Sequence, residues 1–158
     1  MGELWTSSVH QSWATPWPLF DAIDKEFGFF GDLAATANNA KKDHYISPRT
    51  DSLSVDWVQW SQGDPCWLNP PYGRSIGNWM KKAFVESERG MCIVCLVFVR
   101  TDTKWWNEYA MRAAEIRLIP GRITFVGADN GAPAPSCLVV FDPKRRKPHF
   151  FTQELPRK

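Results

Sequence analysis

Residues 66–73, Cys-Trp-Leu-Asn-Pro-Pro-Tyr-Gly, bring an amide, two prolines and an aromatic ring close together. The prolines fix two φ angles and remove two backbone donors, and Pro70 disfavours a helical conformation at Asn69. We therefore predict a rigid, extended corner that presents the Asn69 amide, backbone carbonyls and the Tyr72 ring.

Such a corner suits recognition of a planar exocyclic amino group. The Asn69 side-chain oxygen and the Pro70 carbonyl could each accept one of its N–H groups, while Tyr72 lies on the face of the base, a contact worth about 1–3 kcal/mol. Two acceptors draw the nitrogen lone pair out of ring conjugation, so the nitrogen becomes a better nucleophile. The alternative is a proline-stiffened turn with a buried tyrosine and no chemical role.

Composition predicts one folded domain. The chain has 158 residues, of which 44% are hydrophobic and 14% aromatic, enough for a substantial core. Nine tryptophans also suit a surface that meets bases or a partner. The net charge of +2 gives no strong general attraction to nucleic acid, although basic residues cluster over 144–147 and 157–158.

The sequence shows no apolar run of membrane-spanning length and no signal sequence, so we expect a cytoplasmic protein. Cys92 and Cys95 have C-x-x-C spacing but lie in an apolar run typical of a strand, where they would point to opposite faces. We therefore expect buried free thiols, and neither a redox nor a metal site.

Helical and strand patterns alternate along the chain. Helices are predicted over 16–27, 76–89 and 105–114, and strands over 29–35, 44–46, 66–68, 91–99, 115–119 and 137–141. We expect Thr15 to cap the first helix. This order predicts an α/β domain with a mostly parallel sheet. Ligands bind such sheets beyond the carboxyl ends of strands, so Asp32, Asn69 and Arg100, which each follow an apolar strand, should face one crevice.

Several short stretches together resemble the phage-type DNA N-6-adenine methyltransferases (Dam-like). They are Trp-Ala-Thr-Pro at 13–16, Asp-Leu-Ala-Ala at 32–35, Asn-Ala-Lys at 39–41, Asp-Ser-Leu at 51–53, Asn-Pro-Pro-Tyr-Gly at 69–73, Arg-Thr-Asp-Thr-x-Trp-Trp at 100–106, Gly-Arg-Ile-x-Phe at 121–125 and Ala-Pro-Ser at 134–136. The resemblance implies a Rossmann-like methyltransferase fold and S-adenosylmethionine (SAM) as methyl donor. It also implies the N6 of adenine in double-stranded DNA as acceptor, which base flipping would make accessible.

The resemblance also implies roles for single residues. The catalytic motif falls on Asn69, Pro70, Pro71 and Tyr72. Positions that bind the cofactor fall on Thr15, Pro16, Asp32 and Asp56. The glycine-rich loop usual in SAM methyltransferases is missing after Asp32, where Leu-Ala-Ala-Thr follows.

We expect a flexible N-terminus over 1–12, a methyltransferase domain over 13–143 and a basic tail over 144–158. Residues 100–135 are the candidate target-recognition region, in which Arg100, Lys104 and Arg122 would contact DNA. The protein would act in a bacterial host cell, encoded by a phage or prophage. Two alternatives stay open: a methyltransferase acting on RNA or on protein glutamine, and a non-catalytic nucleic-acid-binding relative of the fold.

Overall fold

A computed structural model describes residues 13–145 and 149–153, which build an α/β fold around one six-stranded sheet. The strands are β1 Gly31–Asp32, β2 Cys66–Leu68, β3 Ile93–Phe98, β4 Glu115–Leu118, β5 Ser136–Phe141 and β6 His149–Thr152. The helices are α1 Trp17–Phe27, α2 Trp57–Ser61, α3 Ile76–Glu88 and α4 Lys104–Glu108, with short 3-10 turns at Ser52–Ser54 and Ala110–Arg112.

The sheet has the strand order β1-β2-β3-β5-β4-β6 and is mixed. Pairing is parallel for β1–β2, β2–β3 and β4–β6, and antiparallel where β5 meets β3 and β4. The expectation of a mostly parallel sheet is corrected accordingly. A parallel neighbour needs a crossover connection, whereas residues 119–135 join β4 to β5 as a loop without a helix, which lets the chain reverse direction.

Both faces of the sheet are covered, as the continuous apolar run in β3 predicted. Alternate β3 residues point to different layers. One layer packs α3 against Ile93, Cys95 and Val97. The other packs α1 against Val94 and Leu96. The apolar periodicity of α1 and α3 therefore predicted their buried faces correctly.

Other elements differ from the prediction. The strand expected over 29–35 pairs only at Gly31–Asp32, and the helix expected over 105–114 ends at Glu108 before a separate 3-10 turn. The five-residue α2 was missed because it is too short to show a helical period. Strand β6 was also missed, and it lies within the segment expected to be a basic tail.

Thr15 does not cap α1. Pro16 occupies the N-cap position and no side chain caps the helix there, while Pro18 lies within the first turn. The prolines make a capping side chain less necessary, because each removes a backbone N–H that would need a partner. The Thr15 hydroxyl is consequently available for the contact described below.

The cysteines Cys66, Cys92, Cys95 and Cys137 are free thiols, as expected. Within residues 13–145 and 149–153, no helix combines the length and hydrophobicity needed to cross a membrane. In the same residues, no group of three or more His, Cys, Asp or Glu side chains could hold a metal ion.

Candidate active site

A cavity of about 230 Å³ lies beyond the carboxyl ends of β1 and β2. The segment before α1, the chain after β1, the segment before α2 and the proline corner after β2 form its walls. The lining residues are Trp13, Ala14, Thr15, Asp32, Ala34, Ala35, Thr36, Asn39, Lys41, Ile46, Ser47, Pro48, Asp51, Ser52, Trp67, Asn69, Pro71 and Trp79.

Parallel pairing explains why Asp32 and Asn69 share this cavity. Asp32, the last residue of β1, is in register with Trp67 of β2, and Asn69 follows β2 directly. Both strands therefore end at the same edge of the sheet. Arg100, expected in the same crevice, follows β3 but is exposed and is not part of the cavity wall.

The Asn69 side chain is held in one orientation. Its Nδ2 donates to the Trp13 carbonyl at 2.8 Å and to Thr15 Oγ1 at 3.2 Å. Because a carbonyl can only accept, the amide nitrogen must face Trp13, which fixes the direction of Oδ1. Oδ1 accepts from the Tyr72 hydroxyl at 3.2 Å and retains acceptor capacity for one more donor.

The segment that orients Asn69 is itself anchored to the chain beyond β4. Ala14 forms an isolated antiparallel bridge with Val126, whose N–H donates to the Ala14 carbonyl at 3.0 Å. The Trp13 ring packs on Phe125 with ring centroids 5.4 Å apart. The upstream Trp-Ala-Thr stretch therefore fits between the proline corner and residues 125–126.

The Tyr72 ring already has an aromatic partner. It stacks on Phe98 with centroids 4.3 Å apart and an interplanar angle of 14°, and Phe125 meets its edge at 6.1 Å. Burial raises the pKa of the Tyr72 phenol, so the hydroxyl remains a donor to Asn69. One face of the Tyr72 ring is thus covered by protein.

Two prolines follow Asn69 in the corner. Pro70 is buried, whereas Pro71 is half-buried and contributes to the cavity wall. Pro16 is half-buried beside the site but is not part of the wall.

Asp32 is a buried carboxyl group in the cavity wall, with 2% of its surface exposed. Its oxygens accept from the backbone N–H of Ala34 at 3.2 Å and of Lys41 at 3.1 Å. Burial raises the pKa of Asp32 from 3.8 to about 7, although the two N–H groups and the Lys41 charge oppose that rise. A cationic group in the cavity would stabilise the ionised form.

Lys41, Asn39 and Asp51 also line the cavity, and no cofactor role was predicted for them. The signal that could have found them is the Asn-Ala-Lys and Asp-Ser-Leu stretches at 39–41 and 51–53, which carried part of the family resemblance. Their location in the cavity wall could not be predicted from the sequence, because the chain between β1 and α2 contains little regular structure.

Asp56, expected to bind the cofactor, lies outside the cavity wall. It caps α2 by accepting from the Gln59 N–H at 2.9 Å and pairs with Arg89 at 2.9 Å, with 41% of its side chain exposed. The Arg89 hydrogen bond lowers the pKa of Asp56 to about 2. An acid that caps a short helix has the same local sequence as a ligand-binding acid, so the sequence alone does not distinguish these two roles.

The expected DNA-contacting residues are all at the surface. Arg100 and Arg122 are exposed, and the Lys104 side chain is 85% exposed and forms an i,i+4 pair with Glu108 at 3.6 Å. Such exposed pairs contribute little to stability. These cations are therefore accessible to phosphate groups.

Comparison with known proteins identifies the family of this chain. The model of the family described as DNA N-6-adenine-methyltransferase (Dam) matches residues 5–153. The chain is also 32% identical over 140 residues to a DNA N-6-adenine-methyltransferase of Haemophilus phage HP1 (strain HP1c1), which covers 84% of this chain and 79% of the relative. The chain belongs to the DNA N-6-adenine-methyltransferase (Dam) family.

Proposed function

We propose that the protein transfers the methyl group of SAM to the N6 of an adenine that is flipped out of duplex DNA. The observation that carries this proposal is the fixed orientation of Asn69, whose nitrogen is engaged by Trp13 and Thr15 while Oδ1 can still accept. An oxygen held in this way suits an exocyclic amino group. We further propose that β1, β2 and β3, with helices on both faces, correspond to a Rossmann-like methyltransferase sheet.

The cavity residues fit SAM by their chemistry. The methionine end of SAM carries an ammonium group, and the buried Asp32 carboxyl provides an acceptor whose ionised form a cation would stabilise. Ala34 and Ala35 occupy the wall where a glycine-rich loop would stand, and their small side chains leave room for a ligand. We propose Asp32, Thr15 and the adjacent Pro16 as residues that hold the cofactor.

SAM held by Asp32, Thr15 and Pro16 would supply an electrophilic methyl group, with the sulfonium sulfur as the leaving group and N6 as the acceptor. Asn69 Oδ1 and the Pro70 carbonyl orient the amino group and increase the electron density on N6. After transfer, N6 loses one proton to solvent. Because Asn69 is already oriented before substrate binds, the protein needs little reorganisation at the reacting atoms.

The position of Asn69 supports the proposal of base flipping. The residue is half-buried at the wall of a cavity, whereas N6 of a paired adenine lies within the base stack. We propose that the flipped base enters beside Tyr72. A 2-aminopurine placed at the target position should become more fluorescent when the protein binds, and unchanged fluorescence in a bound complex would contradict flipping.

Duplex DNA would dock through exposed cations, for which we propose Arg100, Lys104 and Arg122. Replacing Arg122 and Lys104 with alanine should weaken duplex binding and reduce its salt dependence, without changing SAM affinity. Fluorescence anisotropy at several salt concentrations measures this, and unchanged binding would show that DNA docks elsewhere. We place the enzyme in the cytoplasm of a bacterial host, encoded by a phage or prophage.

The experiment that tests the function is methyl transfer from labelled SAM to unmethylated duplex DNA, with the product nucleosides separated chromatographically. We expect N6-methyladenine from the wild type and a loss of at least about a hundredfold for Asn69→Ala, the usual effect of removing an oriented polar contact to the reacting group. The control is Asn78→Ala, which removes an exposed asparagine on α3.

Each negative outcome has a distinct meaning. SAM binding without a methylated DNA base would redirect the assay to RNA and protein acceptors. A folded protein that fails to bind millimolar SAM in calorimetry would support a non-catalytic nucleic-acid-binding relative. Equal loss of activity in Asn69→Ala and Asn78→Ala would show that Asn69 in the proline corner has no specific role in methyl transfer.

A further inference from the structure

Lys41 is a buried cation in the cavity wall. Only 7% of its surface is exposed, although lysine is almost never this buried unless it is paired. Its Nζ lies over the Trp17 ring, 4.0 Å from the centroid. The backbone N–H of Lys41 donates to Asp32 Oδ2 at 3.1 Å, so the two residues are fixed side by side.

The Lys41 ammonium has no anionic partner within ion-pair distance in the part of the chain that the structure describes. The neighbouring Lys42 differs, because its Nζ pairs with Asp24 at 3.0 Å. Asp32 and Asp21 act on Lys41 only through longer-range attraction, which raises its pKa, while burial lowers the pKa by more. Among the described residues, the Lys41 ammonium therefore has the Trp17 ring as a partner but no anion to compensate its buried charge.

We propose that Lys41 binds the carboxylate of the methionine end of SAM, while Asp32 binds the ammonium of the same end. This inference rests on the proposed function and adds a residue to its cofactor site. An α-amino acid carries both charges on one carbon. Asp32 and Lys41, which can carry the two complementary charges, both line the cavity and are joined through the Lys41 backbone N–H. The ligand would thus compensate both buried groups together.

The burial of Lys41 favours a small carboxylate over a DNA phosphate. A duplex backbone follows the protein surface, where Arg100 and Arg122 are exposed. Lys41 contributes instead to the cavity wall, and only 7% of its surface is exposed. A carboxylate that enters the cavity can reach a group that the outer surface does not present.

The test compares two ligands and measures binding alone. Calorimetry gives the dissociation constants of SAM and of decarboxylated SAM, which keeps the sulfonium and the amino group but lacks the carboxylate. For the wild type, we expect SAM to bind about tenfold to a hundredfold more tightly than decarboxylated SAM, the range for a hydrogen bond between charged groups.

Lys41→Met removes the charge and keeps a chain of similar length. We expect this variant to bind the two ligands with nearly equal affinity, because SAM loses its partner and decarboxylated SAM loses none. Lys42→Met is the matched control: it removes the adjacent charge outside the cavity and should keep the wild-type preference. Circular dichroism confirms that each variant folds, and Lys41→Arg should restore part of the preference if methionine perturbs the site.

Two results would overturn the inference. Lys41→Met could keep the wild-type preference, with or without an equal loss of affinity for both ligands, or Lys42→Met could lose the preference to the same extent as Lys41→Met. Wild type that binds no SAM at all would refute the proposed function as well. Wild type that binds SAM without preferring it to decarboxylated SAM would refute the Lys41 assignment alone.

Discussion

Asn69 Nδ2 and Thr15 Oγ1 lie 3.2 Å apart, and this hydrogen bond links the proline corner to the segment before α1. The Trp13 carbonyl accepts from the same nitrogen at 2.8 Å. Thr15, which the family resemblance assigned to the cofactor, therefore also orients the Asn69 amide. The two roles are compatible because Thr15 lies in the cavity wall.

Thr15→Val should lower kcat by about threefold to tenfold, because it removes one neutral hydrogen bond to Asn69 while preserving the shape of the side chain. SAM affinity should change less than kcat. Thr15→Ser keeps the hydroxyl and should retain most of the activity. Steady-state kinetics and SAM calorimetry measure the two effects, and a loss of SAM affinity with unchanged kcat would contradict the positioning role.

Tyr72→Phe should retain activity within about tenfold of the wild type. The substitution keeps the stack on Phe98 and removes only the bond to Asn69 Oδ1, while Trp13 and Thr15 still hold the amide. Tyr72→Ala removes the ring and should cost more than tenfold in kcat on duplex DNA. Equal kinetics for the two variants would show that the ring has no part in base binding.

Asp32 should make stability depend on pH. Its pKa is raised from 3.8 in the unfolded chain to about 7, so the folded protein binds more protons between these values. The free energy of unfolding should therefore fall as pH rises from 4 to 7, by about 4 kcal/mol at most, and level off above that. Urea denaturation of the wild type and of Asp32→Asn at each pH gives their free energies of unfolding. The difference between the two proteins measures the contribution of Asp32. A difference that does not change with pH would contradict this prediction.

Asp56→Ala should leave SAM affinity within about twofold of the wild type, a change small enough to exclude a direct charged contact. It should lower the melting temperature, because the α2 cap and the Arg89 pair are both lost. Calorimetry of SAM binding and thermal unfolding measure these. A large loss of SAM affinity with an unchanged melting temperature would restore Asp56 to the cofactor site.

The shared location of Asp32 and Asn69 could be predicted from the sequence, because residues that follow parallel strands lie at the same edge of the sheet. Asp32 and Asn69 each follow an apolar strand, and parallel pairing of β1 with β2 brings them to the same cavity. The stiffness of the proline corner could also be read locally, since proline restricts its own backbone and that of the preceding residue.

The rest depended on contacts between distant residues. The bond from Asn69 to Thr15 spans 54 positions, and no local pattern distinguishes a helix cap from a hydroxyl that supports a side chain elsewhere. Lys41 is equally hidden, because a lysine in a polar segment is usually exposed and only the fold places it in a cavity. The antiparallel direction of β5 depends on the loop over residues 119–135, and the apolar pattern of a strand does not indicate its direction.

The position of β5 has a consequence for protein synthesis. β3 and β4 each pair with β5, which lies between them in the sheet although it follows both in the chain. A nascent chain on the ribosome therefore presents β3 with an unpaired edge until residues 136–141 have emerged. Exposed apolar edges favour association with other chains, so we expect chaperones to protect this protein during translation until β5 inserts.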